Sequence, residues 1–200
     1  MPTLLDPPTK RAASPHVLSA IRKEACNLAI WERPCDPSLR ALLATELADI
    51  RFSAALSALE ANLQAELANA GYRDCDARAA LIEDIVTLAE SYAIIMQLGA
   101  VSVRLAIITT DSCRKFHADY VRARLITTYI GTGTQWIDAA DAARVAKGEE
   151  PRALHTLSAG DIGLFKGKMW TQSPAIHRSP PIADTGERRL LLVLDPPRKG

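Results

Sequence analysis

The chain lacks a strong charge of either sign. Its 24 Lys and Arg residues against 23 Asp and Glu give a formal net charge of +1, so no strong field favours nucleic acid or an anionic membrane. Cysteine is also scarce, with four residues in 200 and no C-x-x-C pair. We therefore expect no nucleic-acid partner and no disulfide framework, and we expect the thiols to stay reduced, as in a cytosol.

Long hydrophobic runs are missing as well. The most apolar stretch, residues 93–108, is too short for a membrane span and contains Arg104. Residues 1–15 lack the apolar segment that a secretion signal requires, and they contain several prolines. We expect a loose N-terminal arm over 1–15, one domain over 16–200, a cytoplasmic location and no membrane partner. The sequence does not indicate an oligomeric state.

Helical periodicity dominates the first half of the chain. Asp36 before Pro37 is typical of a helix start, and Ser53 and Asp76 are candidate N-caps of two further helices. Gly71 and Gly99 fit the positions just beyond helix ends. Apolar residues recur at helical spacing in the two later segments: Leu56, Leu59, Leu63, Leu67, and then Leu81, Ile85, Leu88, Tyr92, Ile95. Apart from a strand at 26–31, we predict that residues 16–99 are mainly helical.

The periodicity changes to that of strands after Gly99. Val101, Val103, Leu105 and Ile107 alternate with smaller or polar residues. Further short strands are predicted at 117–130, 154–157, 161–166, 175–178 and 188–194, with a short exposed helix or mobile lid over 138–150. Short strands after a helical block predict an α+β fold, with a double-stranded β-helix (jelly roll) in residues 100–195 braced by N-terminal helices.

One short motif, Phe116-His117-Ala118-Asp119-Tyr120, carries the candidate chemistry. In an extended strand His117 and Asp119 point to the same face, and His177 joins them if the chain folds back. Two imidazoles and one carboxylate form the facial triad that suits non-haem Fe(II), although Zn(II) binds the same donors. The alternative is that His117 and Asp119 form a surface pair at a strand end and have no functional role.

Several neighbouring residues have two interpretations. Cys113, four residues before His117, is either a buried thiol or a fourth, soft ligand that would favour zinc. Arg122 and Arg124 share a strand face near the motif and are candidates for contacts to the triad or to a substrate. His16 lies at the loose N-terminal arm, and His155 has no carboxylate or thiol at ligand spacing, so we interpret both as structural.

The order H-x-D, then His177, then G-x-R at the start of the last strand resembles the Fe(II)/2-oxoglutarate-dependent oxygenase superfamily. That superfamily is built on a double-stranded β-helix. The longer strings at residues 113–122, 128–136 and 177–181 are more similar still to a bacterial family of unknown function, whose genes often lie near zinc-homeostasis genes.

The superfamily resemblance implies that His117, Asp119 and His177 hold Fe(II) and that 2-oxoglutarate is a cosubstrate. A basic residue at the start of the final strand would then bind the far carboxylate of 2-oxoglutarate. Arg188 and Arg189 compete for this role, because consecutive strand residues face opposite ways, and we favour Arg188. Tyr129 is predicted to lie with them in the cosubstrate pocket.

The leading hypothesis is an oxygenase-like protein of this type whose substrate, a small molecule or a protein, the sequence does not identify. One alternative is a non-catalytic metal-binding protein linked to zinc homeostasis, with Zn(II) in the same site. Another is a cupin-like enzyme that uses no oxoacid.

Overall fold

The structure, a computed structural model, describes residues 8–44, 46–111 and 113–197. These residues form two β-sheets and several helices. The strands are β1 (Thr9–Ala12), β2 (Leu28–Trp31), β3 (Ile50–Ala55), β4 (Ala100–Ile108), β5 (Ala123–Ile130), β6 (Gln135–Ile137), β7 (His155–Thr156), β8 (Ile162–Lys166), β9 (Ile176–Arg178) and β10 (Arg189–Asp195). The α-helices are α1 (Leu59–Asn69), α2 (Asp76–Met96) and α3 (Ala139–Val145). Pro15–Arg22, Pro37–Ala44 and Leu56–Ala58 are 3-10 helices.

The large sheet has seven strands in the order β1-β2-β8-β5-β10-β4-β3, and the small sheet has three in the order β7-β6-β9. All pairings are antiparallel except that of β1 with β2. Strands that are neighbours in the sheet are mostly distant in sequence, and the sheet order places β10 inside the sheet, between the central β5 and β4.

Each face of the large sheet packs against a different layer. Alternate β10 residues Leu190, Leu192 and Leu194 belong to a core shared with α1, α2 and the 3-10 helices. Leu191 and Val193 belong to a second core, shared with Trp136 of the small sheet and with neighbouring residues. We call the side of the large sheet that faces the small sheet the inner face, and the side that faces the helices the outer face.

The fold is therefore mixed α+β, but the predicted N-terminal helical block is interrupted by strands. Ile50–Ala55 form β3 instead of a helix capped by Ser53, because every residue of this segment pairs with β4. The helical stripe that begins near Leu59 does form α1. The Asp36 carboxylate accepts the Ser38 N–H at 2.8 Å, as a cap should, but the helix that follows is 3-10.

Two further elements differ from the prediction, and the short helix predicted within 138–150 is present. Within the arm predicted to be loose, Thr9–Ala12 form β1 against β2, and residues 1–7 lie outside the described residues. Helix α2 has Cys75, not Asp76, at its N-cap, and the left-handed residue at its end is Gln97 (φ 57°), not Gly99. The segment 138–150 includes α3, whose N-cap Asp138 accepts the Asp141 N–H at 2.8 Å.

Among the described residues, no helix combines the length and the apolar character needed to cross a membrane.

Candidate metal centre

An isolated β-bridge joins His117, the first residue of the H-x-D motif, to His177, the middle residue of β9. His117 N–H donates to the His177 carbonyl at 2.9 Å, and His177 N–H donates to the His117 carbonyl at 3.0 Å. This antiparallel pair extends the small sheet by one bridge beyond β9. The two imidazole rings therefore lie side by side, with centroids 4.7 Å apart.

Asp119 lies in irregular chain between this bridge and β5, so the continuous strand predicted over 117–130 is wrong in its first part. Lys168 N–H donates to the Asp119 carbonyl at 2.9 Å. Gly167 makes this close approach possible, because a Cβ there would collide with the carbonyl oxygens of Val121 and Asp119. The backbone around Asp119 is thus held by the loop that follows β8.

Three side chains offer donor atoms that all lie within 4.8 Å of one another: His117, Asp119 and His177. His177 Nε2 is 3.3 Å from Asp119 Oδ2, and His117 Nε2 is 3.8 Å from Asp119 Oδ1. Donors about 2.1 Å from one ion and at right angles to each other lie about 3 Å apart. Small side-chain rotations would therefore bring these atoms around one cation. The structure brings together all three residues that the sequence predicted as metal ligands.

A hydrogen bond from the His117 ring to a backbone carbonyl determines which ring nitrogen can bind a metal. His117 Nδ1 lies 2.9 Å from the Lys115 carbonyl oxygen. A carbonyl accepts only, so Nδ1 carries the hydrogen, and in the neutral ring Nε2 keeps its lone pair. Nε2 is the nitrogen on the side of Asp119. This is the arrangement by which metal-binding histidines usually fix their tautomer and orientation.

Arg124 holds the Asp119 carboxylate. Its Nη1 donates to Asp119 Oδ1 at 2.5 Å, while its Nε and Nη2 donate to the two oxygens of Asp195 at 2.7 and 2.8 Å. Burial raises the pKa of the Asp119 carboxyl, but its interaction with His177 and the nearby charges of Arg124 and His117 outweigh burial, so the net shift is downward. Asp119 is therefore ionised at neutral pH, as a ligand must be.

Unsatisfied polar atoms show that the triad fits a cation. Among the described residues, His177 Nδ1 is buried and makes no hydrogen bond, and Asp119 Oδ2 is buried with only His177 Nε2, at 3.3 Å, beside it and no well-aligned hydrogen bond. A buried carboxylate oxygen without a partner is costly, and a metal ion supplies the missing interaction. His177 is 4% exposed and packs against Phe165 at 4.7 Å between ring centroids, whereas the His117 side chain is 37% exposed and leaves the site open on that side.

Arg189, not Arg188, points into the space between the sheets. Arg189 pairs with Ile108, which packs in the inner core, and it lies two residues before Leu191 on the same face of β10. Its side chain is fully buried; Nε donates to the Thr132 carbonyl at 2.5 Å and Nη2 to Thr128 Oγ1 at 3.3 Å. The Nη1 atom is buried and has no partner among the described residues.

Burial lowers the pKa of Arg189 to about 10, a shift that the charge of Glu187 opposes, so the guanidinium remains charged at neutral pH. No ion pair joins it to a carboxylate in the part of the chain that the structure describes. The turn after β5 packs against Arg189 and requires glycine, because Gly131 has φ +88° and a Cβ there would collide with Arg189 Cγ and the Glu187 carboxylate. A buried cation with a free donor is a site for an anion.

Arg188, which the sequence analysis favoured over Arg189 for binding the cosubstrate, faces the opposite side of β10. The Arg188 Nη1 donates to the Leu43 carbonyl at 2.8 Å, on the side of the 3-10 helix Pro37–Ala44. That helix packs against α2 in the outer core.

Tyr129 also lies away from the triad, contrary to its predicted place in the cosubstrate pocket. Its hydroxyl donates to Asp84 Oδ2 at 2.7 Å, and Asp84 is in turn held by Arg33 at 2.5 and 2.7 Å. Asp84 belongs to α2, so Tyr129 faces the helices. Its role in the structure is to tie β5 to α2.

The other candidate ligands are not part of the donor group. Cys113 is exposed and its side chain is not among the clustered donors of the described residues. His155 stacks on Trp136 with ring centroids 4.2 Å apart, which agrees with a structural role, and His16 is exposed.

Arg124 does contact the triad, as its strand position indicated, whereas Arg122 stacks over Trp170 at 5.0 Å. The sequence did not identify Asp195 and Phe165 as residues of the site. No sequence signal marks either of them, because they reach the site only through the order of the strands.

Comparison with known proteins assigns the family. The chain belongs to DUF1826, described as a protein family of unknown function, whose model matches residues 12–195. No protein with a curated description matches the chain.

Several solved structures are similar in fold. Dioxygenase for auxin oxidation 1 from Arabidopsis thaliana, in complex with 2-oxoglutarate, is 9% identical with a TM-score of 0.49, covering 95% of this chain and 92% of that one. A Pseudomonas putida prolyl-4-hydroxylase is 14% identical with a TM-score of 0.46 over 93% and 99% of the two chains. AviO1 from Streptomyces viridochromogenes is 14% identical with a TM-score of 0.44 over 98% and 100%.

Proposed function

We propose that this member of DUF1826 is a metal-dependent oxygenase of the Fe(II)/2-oxoglutarate type, built on a jelly-roll scaffold. His117, Asp119 and His177 would hold the iron as a facial triad, which leaves the opposite positions open. Arg189 would bind the far carboxylate of 2-oxoglutarate. Fe(II) and 2-oxoglutarate together supply the oxygen-activating chemistry when both are bound, and the substrate is not yet identified.

The buried guanidinium of Arg189 is the observation that carries this proposal. The triad by itself supports only a divalent cation, because two imidazoles and one carboxylate also bind Zn(II). A buried arginine without a carboxylate partner is unexplained in a protein that only stores or transfers zinc. It is explained by an anionic cosubstrate that enters the same interior as the metal ligands.

Each residue of the site has a definite part in this proposal. Arg124 keeps Asp119 ionised and oriented, and the Lys115 carbonyl keeps the free nitrogen of His117 towards the site. Arg189 pairs a cosubstrate carboxylate by charge-assisted hydrogen bonds. Phe165 and Trp136 form the apolar wall around His177 and exclude water from that side.

Binding of 2-oxoglutarate to Fe(II)-loaded protein tests the proposal, measured anaerobically by calorimetric titration. A hydrogen bond to a charged group contributes about 1.5–3 kcal/mol, so Arg189→Ala should weaken 2-oxoglutarate about 10- to 150-fold. Metal affinity should change little, because arginine is not a ligand. Arg188→Ala is the matched control: it removes the same side chain from the outer face and should leave 2-oxoglutarate affinity unchanged.

Two results would count against the proposal. Tight Zn(II) or Fe(II) binding with no measurable 2-oxoglutarate binding would favour the zinc-handling alternative or a cupin-like enzyme without an oxoacid. Equal affinity in wild type and Arg189→Ala would mean that the cosubstrate, if bound, is held elsewhere.

A further inference from the structure

A cationic cleft lies beside the triad, on the inner face of the large sheet near its β3 edge. The cleft has a volume of about 320 Å³ and is lined by Arg51, Arg104, Tyr120, Arg124 and Asp195, among others. The inner-face position follows from the strand register, since Arg104 pairs with Val193 of the inner core and Arg51 pairs with Arg104. Arg124 is shared by the two sites, because it lines the cleft and also binds Asp119.

Two of the cations in this cleft are uncompensated. Arg51 and Arg104 are directly opposite each other in the β3–β4 pair. Like charges in directly opposite positions of antiparallel strands repel and destabilise the pair. Within the described residues, neither guanidinium makes a hydrogen bond or an ion pair. Asp195 makes no ion pair with either of them, since both of its oxygens accept from Arg124, and Asp195 and Asp119 together offset only part of the positive charge of the three arginines.

The rim of the cleft carries an exposed aromatic ring. Tyr120 is 80% exposed and follows directly after the ligand Asp119. A large aromatic side chain so exposed beside a charged cleft offers a face on which a planar group can stack.

We propose that this cleft binds the substrate of the triad site and that the substrate carries an oxyanion, a phosphate or a carboxylate, next to a planar group. Arg51 and Arg104 bind the oxyanion through their planar forks of N–H donors, and Tyr120 packs against the planar group. An anion between the two arginines also removes their mutual repulsion. The assignment of the ligand as a substrate rests on the proposed oxygenase function, whereas the anion site itself does not.

Calorimetric titration with two simple probes tests the site, using the full chain freed of metal so that no probe binds an ion in the triad. Phenyl phosphate presents a dianion on a ring, and benzoate presents a monoanion on a ring. We expect saturable binding of at least one probe. Tighter phenyl phosphate identifies the favoured oxyanion as a phosphate, and tighter benzoate identifies it as a carboxylate.

Three variants locate the probe. Arg104→Gln and Arg51→Gln should each weaken the better probe about tenfold or more, because each removes charge-assisted hydrogen bonds. Arg73→Gln is the control, since Arg73 is an exposed arginine between α1 and α2, outside the cleft; its removal changes the net charge equally and should leave affinity unchanged. Tyr120→Ala should weaken phenyl phosphate but not inorganic phosphate, which has no ring.

The inference is overturned if neither probe binds saturably, or if Arg73→Gln lowers affinity as much as the two cleft variants. Arg51 lies on an exposed edge strand, so we expect Arg51→Gln to fold. Its effect on probe affinity therefore tests the site even if Arg104→Gln does not fold. Metal titration of the same variants separates the two proposals. If probe binding depends on Arg51 but the triad binds no metal, the anion site is supported and the proposed oxygenase function is contradicted.

Discussion

His117 and His177 each donate a backbone N–H to the other's carbonyl oxygen, at 2.9 and 3.0 Å. This reciprocal pair fixes the relative position of the two imidazoles through the main chain, before any ion is present. The third donor is fixed differently, since Asp119 lies beyond the bridge and is held by Arg124 and by the loop after β8. The triad is therefore pre-organised, which reduces the cost of ordering its ligands around a cation.

Alanine at any one of His117, Asp119 or His177 should lower the affinity for Fe(II) or Zn(II) more than about 100-fold, since loss of even an outer contact costs 10- to 100-fold. Metal content after dialysis and competition with a chelator measure the effect. Cys113→Ser is the control, because its exposed thiol lies outside the donor group. Wild-type metal content in all three triad variants, or a large loss in Cys113→Ser, would mean that the ion is bound elsewhere.

Arg124→Met should weaken metal binding about 10- to 100-fold without removing a ligand, because Asp119 loses the partner that orients it. Arg122→Met is a suitable comparison: Arg122 is two residues away but stacks on Trp170 instead of contacting Asp119. Chelator competition on both variants measures the difference. Equal loss in the two would show that general charge near the triad, not the Arg124–Asp119 contact, sets the affinity.

The sequence predicted His117 and Asp119 together because they lie two residues apart, and it predicted His177, 58 residues later, only by the order of motifs that resembles the oxygenase superfamily. It did not predict the face of β10 that carries Arg188 or Arg189, because a shift of one residue in register exchanges the faces of a strand. Only the pairing of Arg189 with Ile108 assigns that face.

Ile50–Ala55 shows a second limit of the sequence. The sequence predicted the N-cap of a helix at Ser53, inside this segment, whereas pairing with β4 makes the segment a strand. The role of Tyr129 was missed for a similar reason, since its partner Asp84 lies 45 residues away in α2.

Tyr129→Phe should lower the free energy of unfolding by about 1–3 kcal/mol, because it removes a partly buried hydrogen bond to the carboxylate of Asp84. Metal affinity should not change, since Tyr129 faces the helices. Urea unfolding measures the stability, with Tyr120→Phe as the control because Tyr120 is exposed. A loss of metal affinity in Tyr129→Phe with no loss of stability would reinstate Tyr129 as a residue of the site.

Acid should destabilise the metal-free protein partly through Asp119. The pKa of this carboxyl is lowered from its ordinary value of 3.8 in the folded protein. Its contribution to stability is thus fully present above about pH 3.8 and is lost as pH falls through the lower folded pKa. Unfolding free energies from urea titrations between pH 6 and pH 3 should fall less steeply for Asp119→Asn than for wild type. If the unfolding free energies of wild type and Asp119→Asn fall equally with pH, Asp119 makes no pH-dependent contribution to stability.

The visible absorption of the Fe(II)-loaded protein, recorded anaerobically as 2-oxoglutarate is added, tests the central claim most directly. If the triad and Arg189 hold the ion and the cosubstrate together, wild-type protein should develop a charge-transfer band that saturates with 2-oxoglutarate. His177→Ala should show no band, and Arg189→Ala should need about 10- to 150-fold more 2-oxoglutarate to develop it. Wild-type protein that retains Fe(II) in the triad but develops no band at saturating 2-oxoglutarate would contradict the account.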